Sequence, residues 1–338
     1  MNILVTGAGG YVGSNLIPEL VKDGHFVKCL DRFFFGKDFL LSFQDTNQIE
    51  LIQDDIRWFD PKILDDVDIV FDLAALSNDP VGELNPEKTF EINHLGRVRV
   101  ATESKKHGVP RYILASSASV YGQQDNLANE DVEVFPITAY SKANHKAEID
   151  VLKLSDEKFC VSVMRFASLY GFSPRMRFDI SVNSMVLDLF KTGKIVVRGK
   201  NNKRPFLHVQ DAVNAYKLIL KADTASINGE IFNVGNEEQN YSIGQLAELI
   251  AQSVGIKYEL ELGDNNDHRS YAASFDKIRN TLGFKPEKNI SFGANEIYEK
   301  LKAGQITDST KTITLKWYQH IESDPELSKI LKINGKLL

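Results

Sequence analysis

From the first residue, short apolar runs rich in β-branched side chains alternate with stretches whose apolar positions recur every three or four residues. "NILVTG" leads into "YVGSNLIPELVKDG" and then "FVKCLD"; later come "DIVFDLAA", a helical pattern from about Pro86 to His107, and "RYILASS". Strands separated by amphipathic helices predict βαβ units on a parallel sheet. Gly24 and Gly108 fall where helices should end, each just before a strand, and "CVSVMRF" at 160–166 supplies one more buried strand.

After Arg165 the rhythm breaks. "SLYGFSPRMRFDIS" is rich in loop formers and arginine, "SVNSMVLDLFKTG" reads as a helix stopped by glycine, and "KIVVRGKNNKRPFLHVQD" reads as strand, turn and strand. A helix "DAVNAYKLILKA", a strand "EIFNVG" and an amphipathic helix "SIGQLAELIAQSVG" follow, with no repeat or linker between them. The pattern therefore predicts a doubly wound α/β sheet with a smaller α/β unit interleaved into it. The boundaries fall at 1–167 plus about 205–235 for the first and about 168–204 plus 236–338 for the second.

Composition narrows what such a chain binds. Of 338 residues, 43% are hydrophobic and 25% charged, and a net charge of −6 without a basic stripe argues against nucleic acid. No basic segment precedes the first apolar run and no stretch reaches the roughly 18 apolar residues of a membrane span, so a cytoplasmic protein without membrane contact is expected. Cys29 and Cys160 lie in separate strand-like runs without CxxC spacing, which predicts buried thiols and neither a disulfide nor a metal site.

"TGAGGYVGS" sets Gly7, Gly10 and Gly13 at GxxGxxG spacing directly after the first strand. Glycines there permit the tight turn and close approach of a pyrophosphate, and the helix beginning near Tyr11 points its free N–H groups at that anion. This is the nucleotide cradle of a Rossmann-type sheet. The second strand ends at Asp31, whose carboxylate suits the ribose hydroxyls of NAD and repels the 2′-phosphate of NADP; Arg32 beside it partly offsets that preference.

With these motifs in place the chain resembles the extended short-chain dehydrogenase/reductases, the nucleotide-sugar epimerases, dehydratases and decarboxylases. The resemblance runs through "DDI" at 54–56, "DLAAL" at 72–76, "NHLG" at 93–96, "SSASVYG" at 116–122, Tyr140, "RFASLYG" at 165–171, "RPFLHVQDAV" at 204–213 and "DHRSY" at 267–271. It implies NAD as cofactor, a nucleotide-diphosphate sugar as substrate and a homodimer. It also implies that Tyr11, Val12, Asp55, Ile56, Leu73, Ala74, Ala75, Ser116 and Phe166 line the cofactor, that Asn93 helps hold that wall, and that Ser117 and Tyr140 face the sugar. Arg204 and Arg269 match arginines that bind the diphosphate, for which a guanidinium fork is suited, and Ser77, Ser168, Arg175 and Asn183 join them on the substrate side.

Two local features bear on the reaction. Where the related dehydratases carry Asp and Glu, and the decarboxylases Glu, this chain has Ala118 and Ser119, neither of which moves a proton as a carboxylate does. The pattern fits epimerases resembling UDP-galactose 4-epimerase, with a 4-dehydrogenase as the variant in which the keto sugar is released. The second feature is "AYSKAN": the position four residues after Tyr140, normally lysine, is Asn144. On a helix it lies about 40° from Tyr140, whereas Lys142 and Lys146 lie about 200° and 240° round and His145 about 140°, so neither lysine replaces it. The lysine's charge lowers the tyrosine pKa from about 10 and its ammonium binds the nicotinamide ribose; Asn144 keeps only a polar contact. Tyr140, Ser117 and Asn144 are thus the candidate catalytic set, and a catalytically weak NAD-binding regulator is the alternative. The final segment, with Trp317 and Tyr318, is expected to pack a terminal helix onto the body.

Overall fold

The structure, a computed structural model, describes residues 1–44, 46–263, 267 and 269–337. Seven strands form its main sheet: β1 (Asn2–Thr6), β2 (Phe26–Asp31), β3 (Ile49–Gln53), β4 (Ile69–Asp72), β5 (Arg111–Ser117), β6 (Cys160–Phe166) and β7 (Ile231–Val234). All pair in parallel, in the order β7-β6-β5-β4-β1-β2-β3. This is the doubly wound Rossmann-type sheet that the alternating pattern predicts.

Every residue of β4 and β6 is buried, as expected when helices cover both faces of a parallel sheet. Successive side chains of β1 divide between the two cores: Ile3 and Val5 pack with Leu16, Leu20, Tyr216 and Ile219, while Leu4 packs with Val70, Tyr112, Leu114 and Val151. The first core is closed by α1 (Gly13–Lys22) and by the helix Val209–Lys221 that contains Tyr216. The second is closed by α2 (Arg97–Lys106) and α3 (Ala139–Leu152). Each fully buried Leu or Ile here contributes about 1.5–3 kcal/mol of transfer free energy.

The helical run expected from Pro86 to His107 is present but not uniform. It opens as α-helix at Pro86–Phe90, widens to a π turn at Glu91–Gly96 and resumes as α2. The strand, turn and strand read at 194–208 do not form a hairpin. Lys194–Arg198 pairs with Glu259–Gly263, whereas Lys203–His208 lies between Ser168–Tyr170 and Asn240–Ser242. A third core, with Tyr170, Val186, Phe206, Leu246, Ala294 and Ile297, holds these elements together.

The chain reverses direction of winding between β1 and β4, so the loops after their C-terminal ends open a crevice, the place where ligands bind in such sheets. The last segment closes that crevice from outside. In α4 (Thr314–Ser323) Trp317, Tyr318 and Ile321 pack on Phe34, Leu76 and Val81, and the Trp317 indole donates to the Phe34 carbonyl at 2.7 Å. Cys29 and Cys160 are buried free thiols. No helix among the described residues is long and apolar enough to cross a membrane.

Candidate active site

One cavity of about 490 Å³ runs from the glycine loop to Arg204 and Arg269. At its inner end the backbone does most of the shaping. Gly7 adopts φ +69°, and a Cβ there would stand 2.8 Å from the Ala74 nitrogen; a Cβ on Gly13 would stand 2.5 Å from the Gly7 carbonyl oxygen. Only glycine lets the loop, α1 and the end of β4 close to this distance, which leaves the helix N-terminus open for an anion. The Tyr11 hydroxyl donates across to the Gly171 carbonyl at 2.7 Å and joins the loop to the second lobe.

Asp31 accepts from the Gly9 N–H at 2.9 Å and the Phe33 N–H at 2.6 Å. Burial pushes its carboxyl up from the ordinary range, and these two amides offset part of that rise. Arg32 turns away: it donates to Asp55 at 2.7 Å and to the carbonyls of Leu331 and Lys336 at 2.8 and 3.0 Å. Burial alone would raise Asp55 as well, but Arg57 and Arg32 outweigh it and hold that carboxyl below its ordinary value.

Tyr140 sits in the first turn of α3, whose start is fastened by side chains from elsewhere. Thr138 caps it with Ser141, the Glu83 carboxylate accepts from the Ala139 N–H at 2.7 Å, and the Thr138 hydroxyl donates to Asp79 at 2.6 Å. Gly82 allows the short helix Asp79–Gly82 to lie against the turn, since a Cβ there would meet that of Tyr140 at 2.9 Å. Opposite, β5 ends in Ser116 and Ser117. Ser116 donates to Glu148, which the Arg165 guanidinium holds ionised below its ordinary range despite burial; Ser117 Oγ accepts from the Ser119 N–H at 3.2 Å and keeps its own proton to give.

At the outer end Arg204 and Arg269 meet on one carboxylate. Arg269 grips Asp267 with Nε and Nη2, both at 2.8 Å, and Arg204 Nη2 reaches the same group at 3.0 Å. Arg204 also donates to the Arg269 carbonyl at 2.6 Å, and Arg269 Nη1 pairs with Asp79. Arg177 is paired with Asp179, whose carboxyl is pushed up by burial but held down to about 2 by that guanidinium.

The cavity brings together Gly7, Gly10, Tyr11, Val12, Gly13, Asp31, Asp55, Ile56, Leu73, Ala74, Ala75, Ser77, Ser116, Ser117, Tyr140, Phe166, Ser168, Arg175, Arg204 and Arg269. The three asparagines stand behind its wall. Asn93 bonds both ways to the Leu76 backbone, Asn183 accepts from Gly171 and donates to Arg177, and Asn144 is 1% exposed. Arg175 lies at the cofactor end, 3.7 Å above the Phe35 ring with Nη2 on Thr314, and its Nη1 is buried without a partner.

Arg97, Asp79 and Tyr318 are among the lining groups that sequence reasoning missed. Arg97 reaches the cavity from α2 and donates to Asn144 Oδ1 at 2.6 Å; a lone arginine in a helical pattern carries no signal for this. Asp79 and Tyr318 also line it, brought in by the short helix Asp79–Gly82 and by the terminal helix. The glycine cradle, the amide-held Asp31 and the free Nη1 of Arg175 together fit a dinucleotide of the NAD type: the loop for pyrophosphate, Asp31 for ribose hydroxyls, Arg175 for negative charge.

Comparison with known proteins agrees with this geometry. Residues 3–235 match the family model described as the NAD dependent epimerase/dehydratase family. A putative UDP-glucose 4-epimerase of Methanocaldococcus jannaschii is 26% identical over 318 residues, 90% of this chain and 100% of that one. UDP-glucuronic acid decarboxylase 1 of Xenopus tropicalis is 29% identical over 309 residues, 87% of this chain and 70% of its own. Among solved structures, MoeE5 in complex with UDP-glucuronic acid and NAD superposes with a TM-score of 0.80 at 25% identity, covering 90% of this chain and 100% of that one.

Proposed function

Since the chain belongs to the NAD-dependent epimerase/dehydratase family, we propose that it acts on a nucleotide-diphosphate sugar as an epimerase or 4-dehydrogenase, through a 4-keto sugar. The observation that carries this is the single cavity in which Tyr140 and Ser117 lie between the glycine loop and the Arg204–Arg269 pair. Bound NAD supplies a hydride acceptor at the sugar carbon and, for an epimerase, the hydride that returns to the other face. The chain's own work is to place the sugar and move its proton.

In this reading Arg204 and Arg269 take the diphosphate, sharing or releasing Asp267, and so set the sugar at the Tyr140–Ser117 wall. Ser117 donates to the hydroxyl oxygen that becomes the ketone, and the Tyr140 oxygen takes its proton. The carboxylates lining the sugar half are all committed: Asp79 to Arg269 and Thr138, Asp179 to Arg177 and Asn78, Asp267 to both arginines. With Ala118 and Ser119 on the Ser117 side, no uncommitted carboxyl remains among the described residues there to expel water or direct loss of carbon dioxide, which favours epimerisation or 4-oxidation over dehydration and decarboxylation.

Incubation with UDP-, GDP-, CDP- and dTDP-sugars, with products read by NMR, tests this. A C4 epimer or a 4-keto sugar is the expected product; a 4-keto-6-deoxy sugar or a pentose would sink the proposal. NAD binding without turnover of any sugar would favour the regulator reading. A homodimer belongs to the same proposal, supported by Leu95 and Ile149, which are 58% and 42% exposed on adjoining helices; sedimentation of the parent against Leu95→Asp checks it.

A further inference from the structure

The lysine that "AYSKAN" lacks leaves Tyr140 without a cation on its own face of α3, and a neighbouring helix has one. Arg97 begins α2 directly after the π turn at Glu91–Gly96. It is 2% exposed, yet it lines the cavity with Tyr140, Ser116 and Ser117. Two bonds fix its guanidinium plane: Nε donates to the Ala74 carbonyl at 2.9 Å and Nη1 to Asn144 Oδ1 at 2.6 Å. Nη2 makes no hydrogen bond among the described residues.

The charge also has no carboxylate in contact: the buried Asp72 carboxyl, which burial pushes up and the Arg97 charge partly offsets, is bonded by Thr6 and Tyr112 instead. Arg177, Arg204, Arg269 and Arg165 each pair with a carboxylate, whereas Arg97 forms no ion pair among the described residues. A buried guanidinium with no carboxylate in contact is costly, so its retention beside a ligand cavity calls for a partner that arrives with the ligand. Asn144 is suited to hold it, being an uncharged acceptor one helical turn from Tyr140, with its own Nδ2 left unpartnered. A lysine at 144 would instead set two cations against each other in a dry site.

We propose that Arg97, held by Asn144, is the cation of this active site: it faces the nicotinamide ribose and the Tyr140 oxygen from α2, and Asn144 is its positioning residue. The role rests on the acid/base reading of Tyr140 above. Other charged groups facing the start of α3 are already spent: Arg177 on Asp179, Asp79 on Arg269 and Thr138, Glu83 on the Ala139 amide, and Glu148 on Arg165.

The test compares Arg97→Gln, Arg97→Lys, Asn144→Lys and the double variant Arg97→Gln/Asn144→Lys, by calorimetric titration with NAD and by the pH profile of turnover. Arg97→Gln keeps donors for Ala74 and Asn144 but no charge; it should weaken NAD roughly tenfold and move the rise of turnover to higher pH. Arg97→Lys should keep the parent's pH profile. Asn144→Lys alone should be worse than the parent, and the double variant should return towards it. Parent-like NAD affinity and pH profile in Arg97→Gln, or weaker NAD with an unmoved profile, would reduce Arg97 to a structural brace. If Arg97→Gln does not fold, the double variant decides: parent-like behaviour supports the role and a lost or shifted profile overturns it. Full activity in Tyr140→Phe would overturn the acid/base reading alone, with the NAD titration still deciding whether Arg97 meets the cofactor.

Discussion

At the glycine-loop end of the cavity the polar groups that await a ligand are mostly backbone amides and the carboxylate they hold; at the Arg204–Arg269 end they are side-chain charges already paired with one another. Asp31 rests on two N–H groups within its own loop region, Gly9 and Phe33. Arg269 rests on Asp267 and on Asp79, 190 residues away in sequence. Preset amides cost nothing to reorganise when an anion arrives, whereas an ion pair must be opened or shared. The first end is therefore built to hold its ligand throughout, and the second to exchange it. The Tyr140 turn belongs to both, since Asp79 links Arg269 to the Thr138 cap of α3.

The sharpest test of that middle position is Tyr140→Phe. Turnover should fall by roughly 10²–10⁴-fold, as for loss of a general acid/base, while calorimetric NAD affinity stays close to the parent's. An equal loss of both would make Tyr140 part of the cofactor end only. Next in size, Arg204→Ala and Arg269→Ala should each raise the apparent substrate constant about ten- to a hundredfold without changing NAD affinity. Because both guanidinium groups share Asp267, the double variant should lose less than the product of the single effects. Strict additivity in steady-state kinetics would mean that the two do not act on one anion.

The same contrast decides what could be read in the chain beforehand. The glycine loop, Asp31 and the Leu73–Ala75 wall were legible because each is a short motif tied to the end of one strand. The parallel sheet was legible because its strands read as continuous apolar runs. Arg97 was not: its partner Asn144 is 47 residues away, and the π turn before it leaves no mark in a helical pattern. Asn93 holds the wall, as its motif position implies, by bonding the Leu76 backbone; Asn144 and Asn183 also lie one layer back instead of lining the cavity, where they brace Arg97 and Arg177. Trp317 and Tyr318 do pack a terminal helix, but a hydrophobic pattern carries no sign that Tyr318 also borders the cofactor end.

A smaller effect concerns the ion pairs of the exchanging end. Asp179 has its folded pKa near 2 against an ordinary 3.8, so its pairing stabilises the fold above that ordinary value and is lost as the pH falls towards 2. The difference corresponds to about 2 kcal/mol. Asp179→Asn should lower stability by that order at neutral pH and flatten the acid limb of urea midpoints between pH 4 and about 2; an unchanged acid limb would show that the Arg177 pair carries little of the fold.

The smallest effect sharpens the cofactor end. Asp31 favours the ribose 2′-hydroxyl, and the sequence left Arg32 as a group that could turn to a 2′-phosphate. In the fold that turn would break three bonds, to Asp55 and to the carbonyls of Leu331 and Lys336. Asp31→Ala should therefore weaken NAD by about tenfold, the loss of one charge-assisted contact, and bring NADP no closer than parity. Asp31→Ala/Asp55→Asn removes the carboxylate charge that draws Arg32 away, and in that variant NADP should bind more tightly than in Asp31→Ala. Calorimetry with both dinucleotides on all three proteins reads the outcome. If Asp31→Ala alone already prefers NADP, Arg32 is free to move and the terminal segment is not what restrains it.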